Sequence, residues 1–379
     1  MKFLHLADLH LGKRLNDFDL MADQRHVLEQ ALALARTEAV DAVVLAGDIY
    51  DKSIPSAGAV NLLDDFLTAL CEAGCPVLVV SGNHDSADRL DYGRTLFARQ
   101  NVHIAGRYEG QMTPVRLEDE HGAVEFWLLP FLRPGVAAYY LKDADCSDYT
   151  AAVRAALAGC RRDPAARQVL VAHQFVTAAG QAPGLSGSES VMVGGLDNVD
   201  AAAFEGFDYV ALGHIHRRQP VGANAWYSGT PMAYALDEAG QEKGCLLVTL
   251  DAAGHAETRF VPFAPLHPIR HVTGPLAELI AEAAAAPEGR EDYIYATLTD
   301  PTPVTDAMAR LQAVWPNAMK LDYPNTAAAA DLRTAAAEVE TKSFQELFFD
   351  FYRQMNGQDP SEEAWQIVRR LTSEGGDEA

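Results

Sequence analysis

The chain has 379 residues, with 30 Lys and Arg against 53 Asp and Glu, a formal net charge of -23. That balance excludes a general nucleic-acid coat protein, whose footprint is basic, but leaves open an enzyme with local charge unlike the sum. Hydrophobic residues make up 49%, enough for two or three domains with cores. No apolar run approaches the roughly 18 residues of a membrane span, so no membrane association is expected.

From the first residue, KFLHLA reads as a buried strand and not a signal peptide. A helical stretch from about Met21 to Ala39 follows, then DAVVLAGD, a helix opening near Ser56, and CPVLVVSGNHD. Further strands are predicted at VEFWLLP, RQVLVAHQ, FDYVALGH and GCLLVTL. Short buried runs with helices between them predict an α/β domain over residues 1–263, its sheet covered on both faces. The five cysteines are scattered; Cys71 and Cys75 have no second pair to complete a zinc site. They read as core thiols of a reducing compartment, and a cytoplasmic location is expected.

FAPLHPIRHV opens a second unit, 264–326, with strand, helix, strand, helix, strand order and no evident catalytic residue. His267 and His271 read there as surface or packing histidines. An Ala-rich linker spans 327–342. Over 343–373, Ser343 and Glu346 form a capping box. Phe344, Leu347, Phe348, Phe351, Tyr352 and Met355 then share one helical face, and Trp365, Val368 and Leu371 mark a second short helix. Two such helices could dock on the protein's own body or on a partner.

Five motifs follow apolar runs: ADLHLG with Asp8 and His10, GDIYD with Asp48, GNHD with Asn83 and His84, VAHQ with His173, and GHIH with His214 and His216. In an extended segment residues i and i+2 face the same side, so Asp8/His10 and His214/His216 each form a pincer. Two Asp, one Asn and four His are too many ligands for one ion and suit two. The absence of thiolate favours manganese, iron or a similar divalent metal. Two ions clamp the attacking and leaving oxygens of phosphoryl transfer. Asp48 is the natural bridge, and His84, pointing away from its neighbour Asn83, can donate a proton to the leaving oxygen. Asp51 and Asp85 read as loop caps or supporting groups. Lys13, Arg14, Arg89, Arg217 and Arg218 trail these motifs and predict local phosphate binding. An aminopeptidase-like di-metal hydrolase is the alternative for such ligands, and the Asn beside a His favours a phosphoesterase.

The ordered set D-x-H, GD, GNHD, H and GHxH resembles the calcineurin-like metallophosphoesterase superfamily. That resemblance implies a two-sheet sandwich flanked by helices. The longer stretch SGSESVMVGGLDNVDAAAFEGFDYVALGHIHRRQPVG, followed by WYSGTPMAY, is similar to the SbcD-type nuclease subunits. This implies a small α+β capping, DNA-binding domain and C-terminal helices that bind SbcC. It further implies one metal held by Asp8, His10, Asp48 and His216, and another held by Asp48, Asn83, His173 and His214, with His84 as catalytic acid and manganese as the metal.

The implied activity is ATP-dependent 3′-to-5′ exonuclease action on duplex DNA and endonuclease cutting of single strands and hairpins. The implied assembly is a homodimer through the nuclease domain with two SbcC ATPase chains, at DNA ends in the nucleoid. The chain has no G-x-x-x-x-G-K-[ST] loop of its own. Some relatives carry a second histidine shortly after GD, where this chain has Asp51. Two other readings stand beside this one: a phosphoesterase for small phosphodiesters or phosphoproteins, and a non-catalytic protein that binds DNA ends.

Overall fold

The computed structural model describes residues 1–178, 180–186, 188, 197–301 and 304–323, together with positions 353 and 366. The expected linker therefore lies outside the described residues. So do the proposed partner-binding residues Phe344, Leu347, Phe348, Phe351, Tyr352, Trp365, Val368 and Leu371.

Two six-stranded sheets dominate. The first runs Ala256–Pro262, Gly244–Leu250, Lys2–Leu6, Ala42–Ala46, Val77–Val80, Val102–Ala105. Its last four strands are parallel, and the two hairpin strands at the other edge are antiparallel. The second runs Gln219–Val221, Ala225–Tyr227, Tyr209–Gly213, Arg167–His173, Gly122–Leu129, Val115–Asp119. Its four inner strands are parallel and both edges antiparallel.

Strand periodicity explains the layers. Successive side chains point to opposite faces, and here both faces are buried, so the strands read as continuous apolar runs. Phe3, Val44, Leu78 and Val80 of the first sheet share one core with Phe126, Val169, Val171 and Ala211 of the second. Phe3 meets Phe126 edge-on at 5.5 Å and Tyr209 at 5.7 Å. The alternate residues Leu4, Val43, Leu45 and Val79 pack outward with helices Met21–Thr37 and Ala57–Glu72. On the other side Leu170, Ala172, Val210 and Leu212 pack with helices Pro134–Tyr140 and Tyr149–Ala158. The expected two-sheet sandwich flanked by helices is what forms.

Local chemistry starts these helices where polar caps exist. Ser56 Oγ accepts from the Ala59 N–H at 3.2 Å, and Asp148 Oδ1 from the Ala151 N–H at 2.7 Å. His5 is fully buried, with ring nitrogens 3.0 Å from the Tyr209 hydroxyl and 3.1 Å from the Leu212 carbonyl, which joins the two sheets.

The described chain separates into two compact units. The larger comprises Met1–His271, Glu288–Tyr295 and Trp315–Lys320. The smaller comprises Val272–Pro287, Ala296–Val314 and the described residues from Leu321 on. Within the smaller unit, helices Leu276–Ala285 and Ala307–Val314 pack together, burying Leu279, Ala283 and Leu311. Strands Ile269–Gly274, Tyr293–Leu298 and Ala318–Asp322 pair in that order. In the larger unit His267 Nδ1 lies 3.0 Å from Asp23 Oδ1, and Asp23 also accepts from the Tyr293 hydroxyl at 2.7 Å. His271 stacks on Tyr295 with ring centroids 4.3 Å apart.

All five cysteines are free. Burial pushes the thiols of Cys75 and Cys245 up to about 11 and about 12, so they stay protonated and inert. No described helix is long and apolar enough to cross a membrane.

Candidate metal centre

Every strand that carries a motif delivers it at its carboxyl end, where α/β sheets present ligands. Asp8 and His10 follow Lys2–Leu6, Asp48 follows Ala42–Ala46, and Asn83 and His84 follow Val77–Val80. His173 closes its own strand, paired in register with Gly213, so the turn bearing His214 and His216 emerges beside it.

The backbone in these turns departs from ordinary conformations. Asp8, His10, Asp48 and His214 all have positive φ, at 54°, 43°, 48° and 102°. Such geometry costs on the order of 1–3 kcal/mol per residue and persists only where surroundings impose it. The glycines of the motifs serve close approach: a Cβ on Gly213 would sit 1.9 Å from the Ala46 carbonyl oxygen, and one on Gly82 only 2.0 Å from Asp48 Oδ1.

The side chains converge. His10 Nε2 lies 3.1 Å from His216 Nε2 and 3.7 Å from Asp48 Oδ2. His173 Nε2 is 3.4 Å from the same Oδ2. Asn83 Oδ1 lies 3.0 Å from His173 Nε2 and 2.9 Å from His214 Nδ1. Asp8 receives the His214 N–H at 3.0 Å and groups with His10 and His216. All seven residues named from the motifs thus meet in one place, in overlapping groups that share Asp8, His10 and Asp48.

Burial sets the electrostatics. It drives the imidazoles of His10 and His214 down to about 4 and about 3, and that of His216 well below its usual range. These rings are neutral and present lone pairs, the form that ligates metal. Burial also pushes His173 down, but Asp48 and Asp8 outweigh it and raise the group to about 9. Burial would raise the Asp48 carboxyl, yet the surrounding histidines hold it well below the ordinary range. Buried imidazole nitrogens, carboxylate and amide oxygens without thiolate form a donor set that fits divalent ions.

His84 sits at the rim, its side chain 29% exposed. Its N–H donates to Asp48 Oδ1 at 2.9 Å, and its Nδ1–H to the Asp51 carbonyl at 2.9 Å. Nε2 then faces the cluster, 4.0 Å from Asp48 Oδ2. Asp51 therefore works through its backbone on His84, while its carboxylate pairs with Lys13 at 3.0 Å. Asp85 caps loops: it accepts from the N–H groups of Ile49, Tyr50 and Gly82 at 2.8–3.0 Å, fastening the GNHD turn to the GD turn.

The basic residues named from sequence are dispersed. Lys13 is held by Asp51, and Arg14 donates to the Asp17 carbonyl. Arg89 is exposed. Arg217 and Arg218 are exposed and border a cavity of about 290 Å³ that His216 and Lys243 also line, with Arg218 4.3 Å over the Phe260 ring.

Sequence reasoning missed a ring of groups behind His216. Ser188 Oγ is 2.6 Å from His216 Nδ1 and donates to Glu238 Oε1. Glu238 pairs with Lys243 at 3.0 Å, and Lys243 Nζ donates to the His216 carbonyl at 3.0 Å. Gln24 was also missed; its Nε2 donates to the His10 carbonyl at 2.7 Å. Only the run SGSES hinted at Ser188, and nothing local marks Gln24, Glu238 or Lys243.

A two-sheet sandwich carrying this cluster at its strand ends defines a metal-dependent phosphoesterase. Residues 1–218 match the model of the calcineurin-like phosphoesterases, and residues 265–356 match that of the type 5 capsule protein repressor C-terminal domain. The chain is 30% identical to the D subunit of the SbcCD nuclease of Staphylococcus epidermidis, over 98% of each chain. Similar solved structures include TT1561 of Thermus thermophilus, at 14% identity and TM-score 0.37, covering 68% of this chain and 98% of that one. Another is a dimetal phosphatase from Danio rerio, at 12% identity and TM-score 0.36, covering 70% and 99%. The chain belongs to the calcineurin-like phosphoesterases and, within them, to the family of the SbcCD nuclease D subunits.

Proposed function

We propose that this chain is the manganese-dependent nuclease subunit of an SbcCD-type complex, hydrolysing DNA phosphodiester bonds at a two-metal centre. The carrying observation is that Asp48 Oδ2 lies within reach of two histidines from different motifs, His10 Nε2 at 3.7 Å and His173 Nε2 at 3.4 Å. That supports Asp48 as the bridge, with Asp8, His10 and His216 completing one site and Asn83, His173 and His214 the other. Divalent ions held by these residues would supply Lewis-acid activation of water and charge neutralisation at the phosphate.

The chain's own residues do the rest. His84, anchored through Nδ1–H on the Asp51 carbonyl, turns Nε2 to the leaving oxygen and delivers its proton. Asp85 holds that turn on the Asp48 loop. Lys13, Arg14, Arg89, Arg217 and Arg218 are the candidate phosphate contacts, and Arg217 and Arg218, beside His216, have the best support.

The full-length likeness to one chain of SbcCD supports partnership with SbcC, which would supply ATP-driven exonuclease action and hairpin opening. In the same reading residues 264–326 cap the site, the helices in 343–373 hold SbcC, and two copies pair through residues 1–263. The strong acidity of the chain fits a partner that carries much of the positive DNA-binding surface.

The test uses an end-labelled hairpin duplex with the purified chain, with and without SbcC and ATP, in manganese or chelator. Manganese-dependent cutting that rises with SbcC and ATP is expected. No DNA cleavage under any condition, with turnover of a small aryl phosphodiester, would overturn the nuclease reading.

A further inference from the structure

We infer that Ser188, Glu238 and Lys243 form a positioning relay that fixes the tautomer of His216 and so tunes one of the two metal sites selectively. The inference rests on the two-metal reading above.

The bonds made by Glu238 and Ser188 point to an assignment of protons. Glu238 is fully buried and its carboxylate only accepts: from Lys243 Nζ at 3.0 Å, from the Tyr234 N–H at 2.9 Å, and from Ser188. The single hydroxyl proton of Ser188 is therefore committed to Glu238 Oε1. Towards His216 the Ser188 oxygen can only accept, so the ring carries its proton on Nδ1, 2.6 Å away. A neutral imidazole has one N–H, and Nε2 therefore presents its lone pair towards His10 Nε2. That is the form required of a ligand, and the partner of the second nitrogen selects it.

Lys243 closes the ring. Its ammonium balances Glu238 and also holds the His216 carbonyl at 3.0 Å, so one cation fixes both the backbone and the ring of this histidine. Removing two charges from water is costly unless other bonds compensate. Here Lys243, 8% exposed, and Glu238 spend their bonds on a single site residue and the loops around it. The other metal cluster has a different arrangement, with His173 Nδ1–H donating to the Ala46 carbonyl at 2.9 Å. Loss of Ser188 therefore touches only the site of Asp8, His10 and His216.

Equilibrium dialysis against manganese, with ions counted per chain, tests this on wild-type protein, Ser188→Ala and Ser188→Thr. Wild type should take up two ions. In Ser188→Ala one site should keep its affinity while the other weakens about 10- to 100-fold, and Ser188→Thr, which keeps the hydroxyl, should recover most of that. The thermal midpoint in chelator should fall only slightly, because Glu238 keeps Lys243 and the Tyr234 N–H when the Ser188 bond is lost. Two unchanged sites in Ser188→Ala would overturn the relay. Equal weakening of both sites together with a markedly lowered midpoint in chelator would also overturn it, by making Ser188 a general structural group. A wild-type chain that binds fewer than two ions would instead sink the two-metal reading.

Discussion

His10 Nε2 and His216 Nε2 lie 3.1 Å apart in the interior, though the two residues are 206 positions apart along the chain. Burial keeps both rings neutral, and His10 Nδ1 has no hydrogen-bond partner among the described residues. The two nitrogens lie at hydrogen-bonding distance, and a cation held between them would take a lone pair from each in place of that bond. Metal should therefore stabilise the fold. At a free manganese concentration 100 times the dissociation constant, each site adds about 2.7 kcal/mol, read as a rise in the thermal midpoint that chelator reverses. A midpoint indifferent to both would show that the cluster does not bind the ion.

His84 sits at the rim of the cluster, its side chain 29% exposed. His84→Ala should lower kcat by about 10²- to 10⁴-fold with two manganese ions still bound per chain. Loss of an ion in the variant would make His84 a ligand instead of an acid.

Gly82→Ala places a Cβ 2.0 Å from Asp48 Oδ1 and 2.3 Å from the Asp48 nitrogen. Overpacking of this kind costs about 1–3 kcal/mol, and because it displaces the carboxylate proposed to serve both ions, cleavage should vanish as well. Gly135→Ala is the control: nothing lies within 4 Å of the added carbon, and denaturant unfolding should find it unchanged or slightly stabilised.

His5 supplies a pH test away from the ligands. Burial lowers its imidazole to about 3 from the ordinary 6.5. Below pH 6.5 the unfolded chain takes up a proton that the folded chain refuses. The contribution of His5 is thus complete above pH 6.5 and falls away as pH drops towards about 3, with a slope of up to about 1.4 kcal/mol per pH unit. Denaturant curves of manganese-loaded His5→Gln should be flatter than wild type across that window, and parallel curves would disprove the assignment.

Arg217 and Arg218 should matter through charge. Replacing both with Ala should weaken duplex binding at every sequence and reduce the slope of log K against log salt by about 1 per lost phosphate contact. An unchanged slope would move DNA contact elsewhere on the surface.

Much of this molecule was legible in its residues. Continuous apolar runs such as AVVLA and RQVLVAH marked the inner strands, because residues buried on both faces need no alternation. The edge strands Val115–Asp119 and Ala256–Pro262 were missed for the converse reason: they alternate charge with apolar groups and resemble surface loops. The five motifs named the residues that now meet around Asp48, since each side chain follows a strand whose direction the sequence sets.

The groups supporting them were not legible. Glu238 and Lys243 look like the charges of a turn in LDEAGQEKG, yet Glu238 is fully buried and Lys243 nearly so. Asp51 stands in a motif, but its carbonyl and not its carboxylate holds His84. The candidate ligands could be named from local pattern, because strand ends and pincer spacing are short-range properties. Proton positions, the facing of His10 on His216 and the ring behind it were decided only by tertiary structure. They depend on which buried donor finds which acceptor, and those partners come from strands and loops up to 206 positions apart.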